Sequence, residues 1–322
     1  MKKSQWLLLI ILIVLIAAYY ILKKNEPVEK EVRFFKADSS DIARMEFIST
    51  EDTIIVVKNG NEWKLQYPVV WGANETQLEA FFSKVLPIKT SSTPMSEDPG
   101  LQKMYKVDEV SGLQVKIYDK KDNLLDRVYI GNGGNSTLDY GRRHSENSIY
   151  QFNTNITAFV TPDIFQWRSP NIINLKREQI SRIDVTYSKN SYTLTVDADS
   201  IRYSDKREAF TILPYNRAQY KVINALENLR TYQFVEKNTA QYAKAFQNPV
   251  CKIVLQLKDG KTKTLTCIRN ENKLAEPFPN SPDREVIIYM MIDNDMSILY
   301  QMSGDFVNRF TRASAHFKTE YD

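Results

Sequence analysis

The sequence predicts an α+β protein, with an N-terminal transmembrane helix followed by two similar modules that each combine an antiparallel sheet with a helix. Three observations predict this class. An unbroken apolar run extends from Trp6 to Leu22. Short alternating strands then recur in the same order over 42–150 and 180–289, with one helical period in each copy. Hydrophobic residues make up 43% of the 322 positions, which excludes a disordered chain.

The charge of the chain is concentrated beside the apolar run. Lys and Arg total 43 and Asp and Glu total 39, and four of the lysines (Lys2, Lys3, Lys23 and Lys24) flank the run. Without these four, basic and acidic residues balance at 39 each. The basicity is therefore typical of membrane flanks, and we expect no nucleic-acid partner.

The apolar run is long enough to span a bilayer. Its helix would extend for about 26 Å, the short end of the range for a membrane span. Trp6 at one end and Tyr19 at the other match interfacial anchors. A cleaved signal peptide is the main alternative, but Ala17-Ala18 leads into two tyrosines rather than a small-residue cleavage site. We predict a retained anchor at 1–24 and a tether at 25–36.

The orientation of this anchor rests on two opposing observations. More lysines and arginines follow the span than precede it, which by cation count places the body inside the cell. A short N-terminal tail and a large C-terminal domain favour export, because large domains translocate largely regardless of charge. We predict a single-pass protein of the bacterial inner membrane with its body in the periplasm, and the cation count conflicts with this.

The first predicted module covers 37–160. Pro68 ends its third strand, since proline lacks the donor that a sheet ladder needs. Leu78, Phe81 and Val85 mark an amphipathic helix, with Asn74 as its N-cap. The predicted strands are 42–48, 53–58, 62–66, 113–118, 124–130 and 148–152, and a surface loop is expected at 89–100.

The second predicted module covers 176–322, after a linker at 161–175. Pro214 ends a strand as Pro68 does, and Val222, Ile223, Leu226 and Leu229 mark the helix. We expect a surface loop at 270–284, and a turn between strand and helix at the acids Asp293 and Asp295. The predicted strands are 180–185, 192–196, 210–213, 252–257, 262–268 and, as the final one, 286–292.

A family resemblance rests on a series of structural residues. In chain order these are Asp41-Ile42, Trp63, Pro68, Ala73-Asn74, Ile130-Gly131, Tyr140, Tyr150 and Trp167-Arg168. The series resembles DUF4340, a family of unknown function whose members look like membrane-anchored bacterial envelope proteins. The resemblance spans 35–167 and, more weakly, the second copy. It departs at 104–107, where members often carry Tyr-Gly-Leu. It implies an association with ABC-type export or gliding-type systems, and it implies no catalytic residues.

The sequence offers no reactive constellation. His144 and His316 have no partner at metal-ligand spacing, and no Gly-x-Ser-x-Gly occurs. The glycine-rich run at 131–134 follows a strand without leading into a helix and lacks the lysine of a P-loop, which favours a flexible turn. We therefore predict no catalytic residue, no metal and no cofactor, and a protein that is not an enzyme.

One compact cationic cluster stands out in the body of the chain. Arg142, Arg143 and His144 lie beside Tyr140 in a predicted loop. Such a cluster can bind an anionic polymer, a lipid headgroup or an acidic partner. The alternative is an ordinary solvated loop.

The two cysteines are expected to face each other across a hairpin. If 258–260 forms a three-residue loop with Gly260 left-handed, Leu257 faces Lys261 and Cys251 falls directly opposite Cys267. Their Cβ atoms would then be about 4.5–5.5 Å apart, slightly beyond relaxed disulfide spacing. A disulfide formed with local adjustment and a pair of small buried hydrophobic residues both remain open.

These features predict a noncatalytic, membrane-tethered envelope module that binds a protein partner and acts as an accessory to an ABC-type export system. Two alternatives remain. One is an enzyme acting on a cell-envelope polymer through surface carboxylates with Arg142 or Arg143. The other is a sensor that holds a small ligand in the groove between the modules.

Overall fold

The computed structural model describes residues 30–133, 138–188, 190–274 (backbone only at 271–274) and 286–318, together with positions 12 and 15–17. The predicted anchor lies outside the described residues except for those last four positions. Within the described part of the chain, no helix has the length and apolar character needed to cross a membrane. The chain divides into a first unit, Met1–Arg168, and a second unit, Ser169–Asp322.

From residue 30 onward, the described part of the first unit contains ten short strands, with one helix before the sixth and two more after the last. The helices are α1 (Glu75–Ala80), which continues as a π-helical turn (Phe81–Val85), α2 (Thr157–Val160) and α3 (Ile164–Trp167), and a 3-10 turn covers Pro99–Leu101. The strands are β1 (Glu31–Arg33), β2 (Arg44–Ile48), β3 (Thr53–Asn59), β4 (Glu62–Tyr67), β5 (Trp71–Gly72), β6 (Lys89–Ser91), β7 (Leu113–Tyr118), β8 (Leu124–Asn132), β9 (Asp139–Arg143) and β10 (Ile149–Phe152).

Eight of these strands form one antiparallel sheet built outward from β2. The strand order is β5-β4-β3-β2-β7-β8-β9-β10. The chain therefore runs in a meander from β2 to one edge, passes through α1, and returns beside β2 to run a second meander to the other edge. The small strands β1 and β6 pair separately.

The residues of the second unit that the structure describes form eleven strands and three helices. The helices are α4 (Arg217–Glu227), α5 (Ala243–Phe246) and α6 (Gly304–Phe310), with 3-10 turns at Arg177–Gln179, Thr239–Tyr242 and Ser314–Phe317. The strands are β11 (Asn171–Ile173), β12 (Ile180–Tyr187), β13 (Asn190–Val196), β14 (Ile201–Asp205), β15 (Ala209–Thr211), β16 (Leu229–Arg230), β17 (Gln233–Val235), β18 (Cys251–Leu257), β19 (Thr262–Leu274), β20 (Val286–Ile292) and β21 (Asp295–Ser303).

The second sheet repeats the topology of the first. Its order is β15-β14-β13-β12-β18-β19-β20-β21-β17. The central strand is again the first of its unit's sheet, one meander precedes the helix (here α4), and the other follows it. Strand β17 adds a ninth position at the edge. The expected α+β class with two antiparallel sheets is therefore confirmed.

The core of the first unit is aromatic. Alternation along β2 and β3 points every second side chain inward, as a half-buried strand requires. Trp167 stacks on Phe47 with ring centroids 4.2 Å apart, and Phe34, Phe35 and Phe81 complete the cluster. Within the predicted tether 25–36, the last residues pack into the first unit, because β1 pairs with β6 and Phe34 and Phe35 are buried.

The core of the second unit contains groups that can ionise. Tyr192 stacks on Tyr203 with centroids 5.3 Å apart, and Phe317 packs against both rings. Burial raises the pKa of Tyr192 well above its usual value, and the Tyr192 hydroxyl donates to the Phe310 carbonyl over 2.8 Å. Cys251 and Cys267 are buried on the neighbouring strands β18 and β19.

Both units cap their central helix in the same way. The Asn74 side chain accepts from the Thr76 amide (3.2 Å) and donates to the Gln166 carbonyl (2.8 Å). In the second unit, Asn216 accepts from the Gln219 amide (3.0 Å) and donates to the His316 carbonyl (2.8 Å). Each N-cap therefore satisfies a free helix amide and also ties the helix to the last helical turn of its unit.

Several predicted elements have different bounds or neighbours. The predicted linker 161–175 is built into the two units, since α3 packs in the first core and β11 pairs with β16 in the second. Strand β20 is not the final one, because a hairpin turn at Asp293-Asn294, both with positive φ, leads into β21 and not into a helix. Leu229 belongs to β16 and not to the helix. Strand β19 extends to Leu274, into the predicted 270–284 loop.

Candidate functional site

The cationic cluster predicted at 140–144 is split by strand geometry. Tyr140, Arg142 and Arg143 lie on β9 and not in a loop, so the loop prediction is wrong. Neighbouring side chains on a strand point to opposite faces of the sheet. Arg142 and Arg143 therefore have different surroundings, and the four residues do not form one compact group.

Arg142 is only 4% exposed and is bonded within its own unit. Its Nε donates to the Val107 carbonyl (2.9 Å) and its Nη1 to the Glu146 carbonyl (3.1 Å). The guanidinium lies over the Tyr129 ring, 4.6 Å from its centroid. Arg142 thus holds the segment around Val107 against the sheet face opposite the main core.

Arg143 secures the N-terminal strand of the first unit. Its Nε donates to the Phe34 carbonyl (3.0 Å) and its Nη2 to the Arg33 carbonyl (3.2 Å). Its Nη1 donates to Glu146 Oε2 at 3.2 Å. These bonds explain why two arginines stand here in sequence, with a separate structural contact for each.

The other two members of the predicted cluster also have partners. His144 Nδ1 lies 3.1 Å from the Tyr129 hydroxyl and 3.4 Å from Glu109 Oε1. Tyr140 packs on Tyr105 with ring centroids 4.6 Å apart. The arrangement links β8 and β9 to the segment that covers them.

The cysteine register is confirmed. Leu257 N donates to the Lys261 carbonyl (2.8 Å), Gly260 has φ of +85°, and Cys251 pairs directly with Cys267. Both side chains are free thiols in the structure and both are buried. Burial raises the pKa of Cys251 to about 12, so its reactive thiolate form is strongly disfavoured.

The remaining chemical motifs have structural surroundings. Gly131 and Asn132 end strand β8, and a side chain at Gly131 would collide with the Tyr105 carbonyl. Asp293 accepts from the Thr264 amide (2.7 Å), so its carboxylate caps a strand end. Among the described residues, no group of three or more His, Cys, Asp or Glu side chains could hold a metal ion.

The solvent side of α4 presents a different combination of side chains. The helix buries Ala218, Val222 and Leu226 against the second core. Its exposed residues recur at helical spacing, which places them on one face. They are Arg217, Tyr220, Lys221 and Asn224. Together with Tyr215, just before the N-cap, these residues are named the α4 face.

Both tyrosines of the α4 face project into solvent from a fixed backbone. Tyr215 is 84% exposed and Tyr220 is 66% exposed. Gln219 Nε2 donates to the carbonyls of Leu213 (2.8 Å) and Pro214 (3.0 Å). This side chain therefore pins the loop that carries Tyr215 to the first turn of the helix.

The charges of the α4 face are unopposed. Neither Arg217 nor Lys221 forms an ion pair with a described residue, and the face itself carries no acid. The equivalent helix α1 is different, since its exposed positions include Glu75 and Glu79. The two helices therefore present opposite charge from the same place in the topology.

The sequence prediction missed the α4 face. The helix was located from its apolar positions, and the polar positions between them were not considered. The spacing of Arg217, Tyr220 and Lys221 at i, i+3 and i+4 could have indicated an aromatic and cationic stripe.

Comparison with known proteins gives one match. The family model described as "Domain of unknown function (DUF4340)" matches residues 63–249, more than half of the chain. The matched range begins in β4 of the first unit and ends just before β18 of the second, so it includes both central helices. No curated protein and no solved structure matches the chain.

Proposed function

The chain belongs to the DUF4340 family, and we propose that it is a noncatalytic, membrane-tethered module that binds a protein partner through the α4 face. The observation that carries the proposal is that two solvent-exposed tyrosines lie beside Arg217 and Lys221, on a helix whose preceding loop is held by hydrogen bonds. Tyrosine and arginine are enriched among the residues that dominate binding energy in protein interfaces.

The fixed backbone supports binding in a second way. Ordering a flexible loop on association costs free energy that reduces affinity. The hydrogen bonds of Gln219 and Asn216 hold the Tyr215 loop in place before a partner arrives. The α4 face is therefore preorganised, and most of its contact energy remains available for binding.

The charge of the α4 face indicates the chemistry of the partner. Two cations without a neighbouring acid favour an acidic partner surface and speed its encounter. We propose that this partner is a component of an ABC-type export system, as the family resemblance implies. The predicted anchor at 1–24 would hold the body beside such a complex, in the bacterial envelope.

The test is capture of the partner by full-length protein from detergent-solubilised membranes, with the recovered proteins identified by mass spectrometry. The variant Arg217→Glu/Lys221→Glu reverses the charge of the α4 face. The matched control, Glu75→Lys/Glu79→Lys, makes the same number of reversals on α1. We expect ABC-type transporter subunits with the wild type and the control, and roughly tenfold less with the α4 variant. Equal recovery by all three proteins, or recovery of the bait alone, would contradict the proposal.

A further inference from the structure

A cleft opens in the second unit at the C-terminal end of α4. Its volume is about 440 Å³, within the range of sites that hold small ligands. The end of α4, strand β16 and the start of α6 contribute its walls. All of its lining residues belong to the second unit.

The buried lining of the cleft is mostly apolar. Its buried side chains are Ala225, Leu229, Met302 and Phe306, together with the polar Thr231. Tyr232 stands exposed at the same site. Such a surface favours a ligand that carries an aromatic or branched apolar group.

Two guanidinium groups line the same cleft. Arg309 donates from Nε (3.1 Å) and Nη2 (2.9 Å) to Asp305, which leaves that pair neutral. Arg230 is exposed and has no ion pair with any residue that the structure describes. The C-terminus of α4 contributes about half a negative charge, which the unpaired Arg230 outweighs.

We propose that this cleft binds a carboxylate attached to an apolar group. The planar fork of Arg230 matches a carboxylate, and the lining from Leu229 to Phe306 accommodates the apolar part. The last residue of a polypeptide and a free aryl or acyl acid share this chemistry. The cleft does not depend on the α4 face, so the Arg217→Glu/Lys221→Glu variant should bind the same ligands unchanged.

The test measures binding to the full-length protein in lipid nanodiscs by calorimetry. The probes are N-acetylphenylalanine, its uncharged amide, and an acetylated tetrapeptide that ends in phenylalanine. We expect the acid to bind at least about tenfold more tightly than the amide, and Arg230→Gln to remove most of that difference. Arg202→Gln, which removes an exposed arginine elsewhere in the same unit, is the matched control and should bind as the wild type does.

The tetrapeptide distinguishes the two sources of ligand. Tighter binding than N-acetylphenylalanine indicates a polypeptide C-terminus, and equal affinity indicates a free small acid. Equal affinity for acid and amide, or no loss with Arg230→Gln in protein whose circular dichroism is native, would overturn the proposal.

Discussion

The two units share one arrangement of strands around a central helix. They differ in the side chains that fill the core and in those that face solvent. Each has a central strand, a meander on either side and an asparagine N-cap. Even the ion pair on the central strand recurs, as Arg44 with Glu46 and as Arg182 with Asp184. The shared features are those that hold the topology together, and the differing ones are available for separate roles.

The cores should differ in their response to alkaline pH. The fully buried rings of the first core belong to phenylalanine and tryptophan, which do not ionise, and the cluster also includes Tyr150 at 8% exposure. The second contains Tyr192 and Tyr203, and also Cys251 and Cys267, whose pKa values are raised by burial. All four tryptophans of the chain lie within the range of the first unit and both cysteines within the second, so each unit has its own probe.

The largest expected effects come from removing the ring that closes each core. Trp167→Ala and Phe317→Ala should each lower the free energy of unfolding of their own unit by about 3–5 kcal/mol, because each leaves a large cavity. Fluorescence of the remaining tryptophans reports the first unit, and thiol exposure reports the second. Phe165→Ala, at an exposed ring of the first unit, is the control and should change little. A loss below about 1 kcal/mol in either core variant would show that the two rings do not make equivalent contributions to the stability of their units.

Alkaline pH should lower the stability of the second unit more than that of the first. A buried thiol or phenol with a raised pKa stays protonated in the folded state while the unfolded chain releases its proton. Stability is therefore fully present below the unfolded pKa and is lost as pH rises towards the folded one. For Cys251 this window runs from about 8.5 to about 12, at about 1.4 kcal/mol per pH unit.

Urea unfolding at several pH values measures this difference. We expect the midpoint reported by thiol exposure to fall above pH 9, and the midpoint reported by tryptophan fluorescence to fall less. Cys251→Ala/Cys267→Ala should reduce the alkaline loss of the second unit, measured as the circular dichroism transition that tryptophan fluorescence does not share. Equal alkaline sensitivity of both units would show that the core difference has no energetic consequence.

Replacing either N-cap should lower the free energy of unfolding of its own unit, by less than the loss of a core ring does. Asn74→Ala should cost about 1 kcal/mol, the usual value for a lost cap. Asn216→Ala should cost about 2 kcal/mol, since Asn216 is 1% exposed and its loss leaves buried polar groups without partners. Thermal unfolding with the two probes measures both values. A larger loss at Asn74 would contradict the assignment of burial as the cause.

The repeated ion pair should contribute least. Arg44 lies over the Tyr118 ring at 3.6 Å and also bonds Asp122, whereas Arg182 is more exposed and contacts Asp184 and Thr193. Double-mutant cycles should give a coupling energy of about 0.5–1 kcal/mol for Arg44 with Glu46, and less for Arg182 with Asp184. A stronger coupling in the second unit would reverse this ranking.

The features that the sequence predicted correctly are those with local, repeating signals. The hairpin register at Cys251 followed from the Gly260 loop, and the two antiparallel sheets were predicted from alternation along the strands. Strand β9 was missed because its buried residues include Gly141 and Arg142, which give no hydrophobic alternation. Phe34 and Phe35 were placed in the tether because their partners are distant in sequence.

Site-specific crosslinking compares the two helices most directly. A photoreactive phenylalanine analogue replaces Tyr220 on α4 or Glu79 on α1, in full-length protein within intact membranes. We predict a crosslink from position 220 to a transporter subunit, lost when Arg217 and Lys221 are changed to Glu, and none from position 79. A crosslink from position 79 alone, or equal crosslinking from both positions, would contradict the assignment of partner binding to the second unit.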